Sequence, residues 1–336
     1  MPNDQLTPRR ALVTGATGYI GSRLVPRLLE EGWTVRILTR DKKKVARRHW
    51  IDDVEIAEGD AGHRSVLGEA LKDVDVAYYL LHSMDGESGF TERDRDMART
   101  FGIAAFEAEV GRIVYLSGLH PSGPLSDHLA SRVEVGDLLM ASGVPTAVLQ
   151  AAVIIGAGSA SFEMLRHLTN RLPVMVAPKW LHNRIQPIAI RDVLHYLAAA
   201  ADLPAEVNRT FDIGGPEVLT YRTMIQRYAR ATAKNRRAIL TVPVLTPWLA
   251  SQWVGFVTPV PTGIAKPLVG SLIHEVVCQE NDLEETVGAP EGGAMSFDDA
   301  VRASIVTDSG TRPEPGSVDP ARITAADPTW AGDGSP

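Results

Sequence analysis

Three glycines, at positions 15, 18 and 21, stand directly between a short apolar run (residues 11 to 14) and a stretch of helical periodicity. The segment reads Ala-Leu-Val-Thr-Gly-Ala-Thr-Gly-Tyr-Ile-Gly-Ser-Arg-Leu from Ala11 to Leu24. This spacing constrains the chain more than any other feature. Gly15 allows a tight turn, Gly18 lets the backbone approach a pyrophosphate without a Cβ in between, and Gly21 lets a helix pack against a strand. The open amides and dipole of the helix N-terminus then favour the phosphates. Strand before, helix after and a second strand near residue 34 agree, which raises the triplet from a weak motif to a dinucleotide-binding βαβ unit.

The same rhythm continues. Strands are expected at residues 11 to 14, 34 to 39, 54 to 57, 76 to 81 and 112 to 117, with helices at 18 to 31, 64 to 72 and 91 to 109 between them. Such alternation implies an α/β, Rossmann-type doubly wound parallel sheet. Residues 146 to 155 are apolar enough for a sixth, fully buried strand. The predicted organisation is a nucleotide-binding domain over 1 to 155, a smaller substrate-side lobe over 156 to 305 with strand and helix contributions back to the core, and a disordered tail over 306 to 336, rich in Pro, Gly, Ser, Asp and Thr. In the lobe, Asp192 is expected to cap a helix through Ala201, and Thr220 to start one over 221 to 233. Residues 243 to 273 carry Trp248, Trp253, Phe256, Leu268 and Leu272, with Lys266 their one charge. Such an arm packs on the core or a partner subunit, or meets a membrane surface or lipophilic ligand.

Composition narrows the function. A net charge of −7 offers no general attraction for nucleic acid. The single cysteine, Cys278, forms no internal disulfide, and the N-terminal residues lack the pattern of a signal peptide, so a cytoplasmic protein is expected. No apolar run approaches the roughly 20 residues of a spanning helix. His167, His182 and His195 lack ligand spacing, so no metal site is expected.

The end of the second strand reads Leu38-Thr-Arg-Asp-Lys-Lys-Lys44. An acidic residue there would bind a ribose 2′-hydroxyl. Arg40 instead suits a 2′-phosphate, with Lys43 or Lys44 adding charge, which favours NADP while Asp41 keeps NAD open. Asp60 follows the third strand and is placed to accept from an adenine amino group. Leu80, Leu81 and His82 end the fourth strand, at the carboxyl edge where cofactors lie.

With Thr14-Gly-Ala-Thr-Gly-Tyr-Ile-Gly21, Gly59-Asp60, Tyr115-Leu-Ser-Gly118 and Pro187-Ile-Ala-Ile-Arg-Asp-Val193, the chain resembles the extended and atypical short-chain dehydrogenase/reductase superfamily over about residues 9 to 243. The nearest likeness is to its NAD(P)H-binding branch, which includes NmrA-like regulators and a complex I accessory subunit. The resemblance implies that Thr17, Tyr19, Ile20 and Ala61 join Gly15, Gly18, Gly21, Arg40, Lys43, Asp60, Leu80 and His82 around the cofactor. It also implies catalysis by Ser, Tyr and Lys. Ser117 stands where the family's Ser lies. Where Tyr-x-x-x-Lys is expected the chain has His128-Leu-Ala-Ser-Arg132, so His128 replaces Tyr and Arg132 replaces Lys. A histidine can transfer a proton near neutral pH, whereas arginine is a permanent cation. Gly156 and Gly158 are expected to give backbone access near the nicotinamide. The implied function is an NAD(P)H-dependent oxidoreductase acting on a small or lipophilic carbonyl or alcohol. The alternative is a non-catalytic NAD(P)H sensor or complex-stabilising protein, and a quinone- or isoprenoid-like ligand is a third idea.

Overall fold

The computed structural model describes residues 8–82, 90–121, 125–242, 257–271, 273–305, 319–324 and 327–332. Its centre is a seven-stranded, wholly parallel sheet built from β1 (Arg10–Thr14), β2 (Thr34–Thr39), β3 (Glu55–Glu58), β4 (Val76–Tyr79), β5 (Arg112–Gly118), β6 (Thr146–Ala151) and, much later in sequence, β11 (Arg209–Ile213). The order across the sheet is β11-β6-β5-β4-β1-β2-β3. The direction in which successive strands are added therefore reverses between β1 and β4, and ligands of doubly wound sheets lie in the crevice above that switch point. Helices α1 (Gly21–Glu30), α2 (Arg64–Ala70), α3 (Phe90–Glu107) and α4 (Asp127–Met140) make the crossovers. Two apolar clusters fill the faces: Val13, Leu24 and Val35 belong to one, Leu12, Phe101 and Tyr115 to the other.

Helix α1 contains Pro26, which has no N–H to give to the carbonyl of Ser22. The indole Nε1 of the buried Trp50 donates to that oxygen at 3.3 Å instead, so the carbonyl that the proline leaves open is satisfied.

A C-terminal lobe begins with β7 (Ile154–Ile155) and α5 (Ala160–Arg171) and continues through β8 (Val174–Pro178), β9 (Arg184–Ile185), β10 (Ile188–Ala189) and α6 (Ile190–Ala199). Beyond β11 come β12 (Leu219–Thr220), α7 (Tyr221–Ala231), β13 (Ala238–Val242) and α8 (Thr262–Ser271). Small two-stranded sheets pair β10 with β7, β12 with β9 and β13 with β8. Thr220 caps α7 as expected, its hydroxyl accepting from the Thr223 amide at 3.1 Å.

Several expectations are corrected. Asp192 caps nothing: α6 starts two residues earlier, and the fully buried Asp192 carboxylate accepts from the Met295 amide at 2.7 Å and pairs with Arg191. Residues 146 to 155 are two strands, because β7 leaves the main sheet to pair with β10. The first helix begins at Gly21 rather than residue 18, and the fourth strand stops at Tyr79 rather than residue 81. The tail is not wholly free, since residues 319–324 and 327–332 pack on the first helix and the lobe; Ala321 is buried, and its carbonyl accepts from Ala157 at 2.8 Å. Of the apolar arm, Trp248, Trp253, Phe256 and Leu272 lie outside the described residues, whereas Leu268 lies in α8. No helix among the described residues is long and apolar enough to cross a membrane.

Candidate active site

Two cavities open along the carboxyl edge of the sheet and share Gly15, Thr17 and His82 in their walls, forming one cleft over the switch point. The first, about 550 Å³, is lined by the glycine turn, the ends of β5 and β6, the start of α4 and the lobe. The second, about 490 Å³, lies over the ends of β2 and β3.

The turn is shaped by what glycine omits. Gly15 has φ +69°, and a Cβ there would fall 2.6 Å from the Leu80 carbonyl oxygen. A Cβ on Gly21 would fall 2.4 Å from the Gly15 carbonyl oxygen, so the helix can begin against the turn only without one. The Gly18 amide closes the turn on the Gly15 carbonyl at 2.9 Å. Thr14 ties β1 to β4, donating from Oγ1 to the Tyr78 carbonyl and accepting from the Leu80 amide.

Gly15, Thr17, Gly18, Tyr19, Ile20, Gly21, Leu80, Ser117, His128 and Arg132 line the first cavity. Arg40, Asp60 and Ala61 line the second, and His82 lines both. Lys43 lines neither; Lys44 takes its place, while the Lys43 amide is held by the Asp41 carboxylate at 2.9 Å. Asp60 accepts from the Gly62 amide at 2.7 Å, fixing the loop after β3.

Ser117 is buried at the end of β5, and Arg132 on α4 donates to the Leu116 carbonyl at 2.5 Å. Arg132 has no carboxylate partner among the described residues, and its buried Nε is unpaired. Burial, reinforced by Arg132, pulls the His128 imidazole down to about 4. His82 is exposed on the wall shared by the two cavities, and the protein crowding around it, with Arg132 and His128, holds its imidazole below the ordinary histidine value. With its imidazole held this low, His128 is neutral at pH 7 and would offer a hydrogen bond rather than an imidazolium proton.

Sequence reasoning missed two contributors, Arg48 and the C-terminal segment, while a lipophilic ligand is among the expectations for the apolar arm. Arg48 leans into the first cavity and donates to the Thr17 carbonyl at 3.0 Å. Ile264 and Leu268 of α8 form part of the wall, and Asp327, Pro328 and Trp330 come from the predicted tail. Arg48 sits in a run of basic residues that reads as a solvated face, and a composition-based view of the tail hides its docking. Among the described residues no group of three or more His, Cys, Asp or Glu is placed to hold a metal ion.

A parallel sheet of this order, with a glycine turn under a cleft at its switch point, defines a Rossmann-fold protein of the atypical short-chain dehydrogenase/reductase superfamily. Within it, the chain belongs to the NmrA-like family, whose model matches residues 8–246. A ceramide reductase of Caulobacter vibrioides is 29% identical over 196 residues, 57% of this chain and 61% of the relative, so the match spans less than two thirds of that protein. A (4-alkanoyl-5-oxo-2,5-dihydrofuran-3-yl)methyl phosphate reductase of Streptomyces griseus is 27% identical over 234 residues, 67% of this chain and 75% of the relative. The triphenylmethane reductase of Citrobacter sp., solved as a complex with NADP(H), superposes with a TM-score of 0.68 at 16% identity, covering 88% of this chain and 99% of that one.

Proposed function

We propose that the chain is an NADPH-dependent reductase of a carbonyl compound. The observation that carries this reading is the single cleft that runs from Arg40 past the glycine turn to Ser117, His128 and Arg132. The chain fits a dinucleotide: the tight turn at the helix N-terminus can form only without Cβ atoms on Gly15 and Gly21, and the buried Nε of Arg132 lacks a partner. The amides after Gly18 take the pyrophosphate, the second cavity takes the adenosine, and Arg132 meets the nicotinamide ribose or the reacting oxygen. Arg40 and Lys44 favour a 2′-phosphate, and Asp41 opposes it little because its carboxylate is engaged by the Lys43 amide. The reductase names of the relatives and the NADP(H) complex of a structural neighbour support the same class.

When bound, reduced nicotinamide supplies a hydride to the carbonyl carbon; the C=O π pair goes to oxygen, which takes a proton, giving an alcohol and oxidised cofactor. Ser117 Oγ and the neutral His128 ring hold the carbonyl oxygen by hydrogen bonds. Arg132 stabilises the charge that grows there, an interaction stronger in the transition state than before it. With His128 neutral, the proton comes from solvent. The test is NADPH consumption against a panel of ketones and aldehydes, with cofactor affinity measured in parallel. Turnover with any member supports the reading; a cofactor that binds but stays reduced throughout overturns it and favours a non-catalytic dinucleotide-binding protein.

A further inference from the structure

Chain segments outside the family match build the far end of the first cavity. Ile264 and Leu268 project from α8, and Trp330 comes from the C-terminal segment; the three belong to one apolar cluster with Met164 of α5. Ile185 and Val276 continue the wall toward the lobe. None of these side chains carries charge, and Lys266, the one charged residue of α8, is exposed.

Trp330 is held by buried polar anchors rather than by chance contact. Arg23 of α1 pairs with Asp327 and donates to the carbonyls of Pro320 and Arg322 at 2.8 and 3.1 Å. The carboxylate of Glu163, wholly buried, accepts from the Gly332 amide at 3.1 Å and from the Gly158 amide at 2.9 Å. His167 Nε2 lies 3.2 Å from the Trp330 carbonyl oxygen. The tryptophan is thus fixed from both sides and from its own backbone, and Glu163 joins the tail to the loop that carries Gly158.

We propose that this end of the cavity selects the substrate, admitting an uncharged carbonyl compound with a hydrocarbon chain, and that Trp330 is its specificity-determining residue. The proposal rests on the reductase reading and names its substrate class. A chain ending in a carboxylate would have to lose its water among Ile264, Leu268 and Trp330, none of which carries a charge to offset that loss, while the cavity's cations, Arg48 and Arg132, are engaged by the Thr17 and Leu116 carbonyls. A hydrocarbon end loses only ordered water and gains the apolar wall.

The test measures three ligands by titration calorimetry on the full chain: NADPH alone, then methyl nonyl ketone and a keto acid of equal chain length, each with the oxidised cofactor present. The account expects the ketone to bind at least about tenfold more tightly than the keto acid, and Trp330→Ala to weaken the ketone by about tenfold or more while NADPH affinity changes little. Trp330→Phe should recover most of the loss. Keto acid binding as tight as the ketone, or ketone affinity unmoved by Trp330→Ala, overturns the proposal. If NADPH binds and neither chain compound does, the substrate assignment fails while the cofactor site stands. If NADPH itself does not bind, both readings fail. Unchanged NADPH affinity in Trp330→Ala also shows that the variant is folded.

Discussion

Arg23 and Asp327 lie 304 residues apart in sequence and form a two-pronged ion pair, Nη1 to Oδ1 at 3.0 Å and Nη2 to Oδ2 at 2.8 Å, with side chains only 4% and 3% exposed. The first helix after the glycine turn and the last described stretch of chain are thereby locked together at the edge of the cleft.

A buried pair of this kind is asymmetric in its energetics: removing one partner strands the other charge. Asp327→Ala should therefore cost about 3–5 kcal/mol of stability, read from the shift of the urea unfolding midpoint. A loss below about 1 kcal/mol, the range of surface pairs, would mean that the tail is not anchored as described.

The glycine turn predicts a steric failure. Gly21→Ala places a methyl group 2.4 Å from the Gly15 carbonyl oxygen, backbone that cannot swing aside. The expected outcome is a destabilisation of about 1–3 kcal/mol and NADPH binding weakened at least about tenfold. Retained affinity would place the dinucleotide elsewhere.

Cofactor choice should follow Arg40. Arg40→Ala is expected to weaken NADPH by about tenfold and to leave NADH nearly unchanged, because only the former carries a 2′-phosphate. Equal losses for both would move discrimination to Lys44, the other cation in the wall of the second cavity.

His128 gives a pH signature. The unfolded chain takes up this proton below about pH 6.5, the folded one only below about 4. The unfolded state thus binds more protons between these values, so stability falls as pH drops through that window. One such group contributes at most about 1.4 kcal/mol per pH unit, and His128→Gln should flatten the slope of unfolding free energy against pH by up to that amount. An unchanged slope would show that the ring is solvated. If reduction is assayed, its kcat/KM should not track an imidazolium titrating near neutrality.

The strands of the parallel sheet through residue 151 and the glycine turn were legible because they depend on local rules: β-branched runs, helical spacing and glycines where a side chain cannot fit; the edge strand β11 was not, because its pairing with β6 is long-range. Ser117, His128 and Arg132 were singled out by the family resemblance, and the fold brings them to the wall of one cavity. The misses have a different origin. Asp192 looked like a cap because short carboxylates usually serve there, but a contact with Met295, about a hundred residues on, claims it. Arg23 reads as an ordinary exposed helix cation until Asp327 arrives, and Trp330 as one aromatic in a polar tail. The His128 environment also lay beyond sequence, since burial beside Arg132 arises only once α4 packs over β5. Long-range polar docking leaves no periodicity to read.

The central claim is that hydride passes from a nicotinamide bound over the glycine turn to a carbonyl held near Ser117. NADPH deuterated at the transferable position of the nicotinamide, mixed with stoichiometric protein and methyl nonyl ketone, tests it in a single turnover analysed by mass spectrometry. The account predicts deuterium on the carbinol carbon of the alcohol and oxidised cofactor in equal amount. Cofactor that is bound, still reduced and fully labelled, with ketone recovered unchanged, would contradict it.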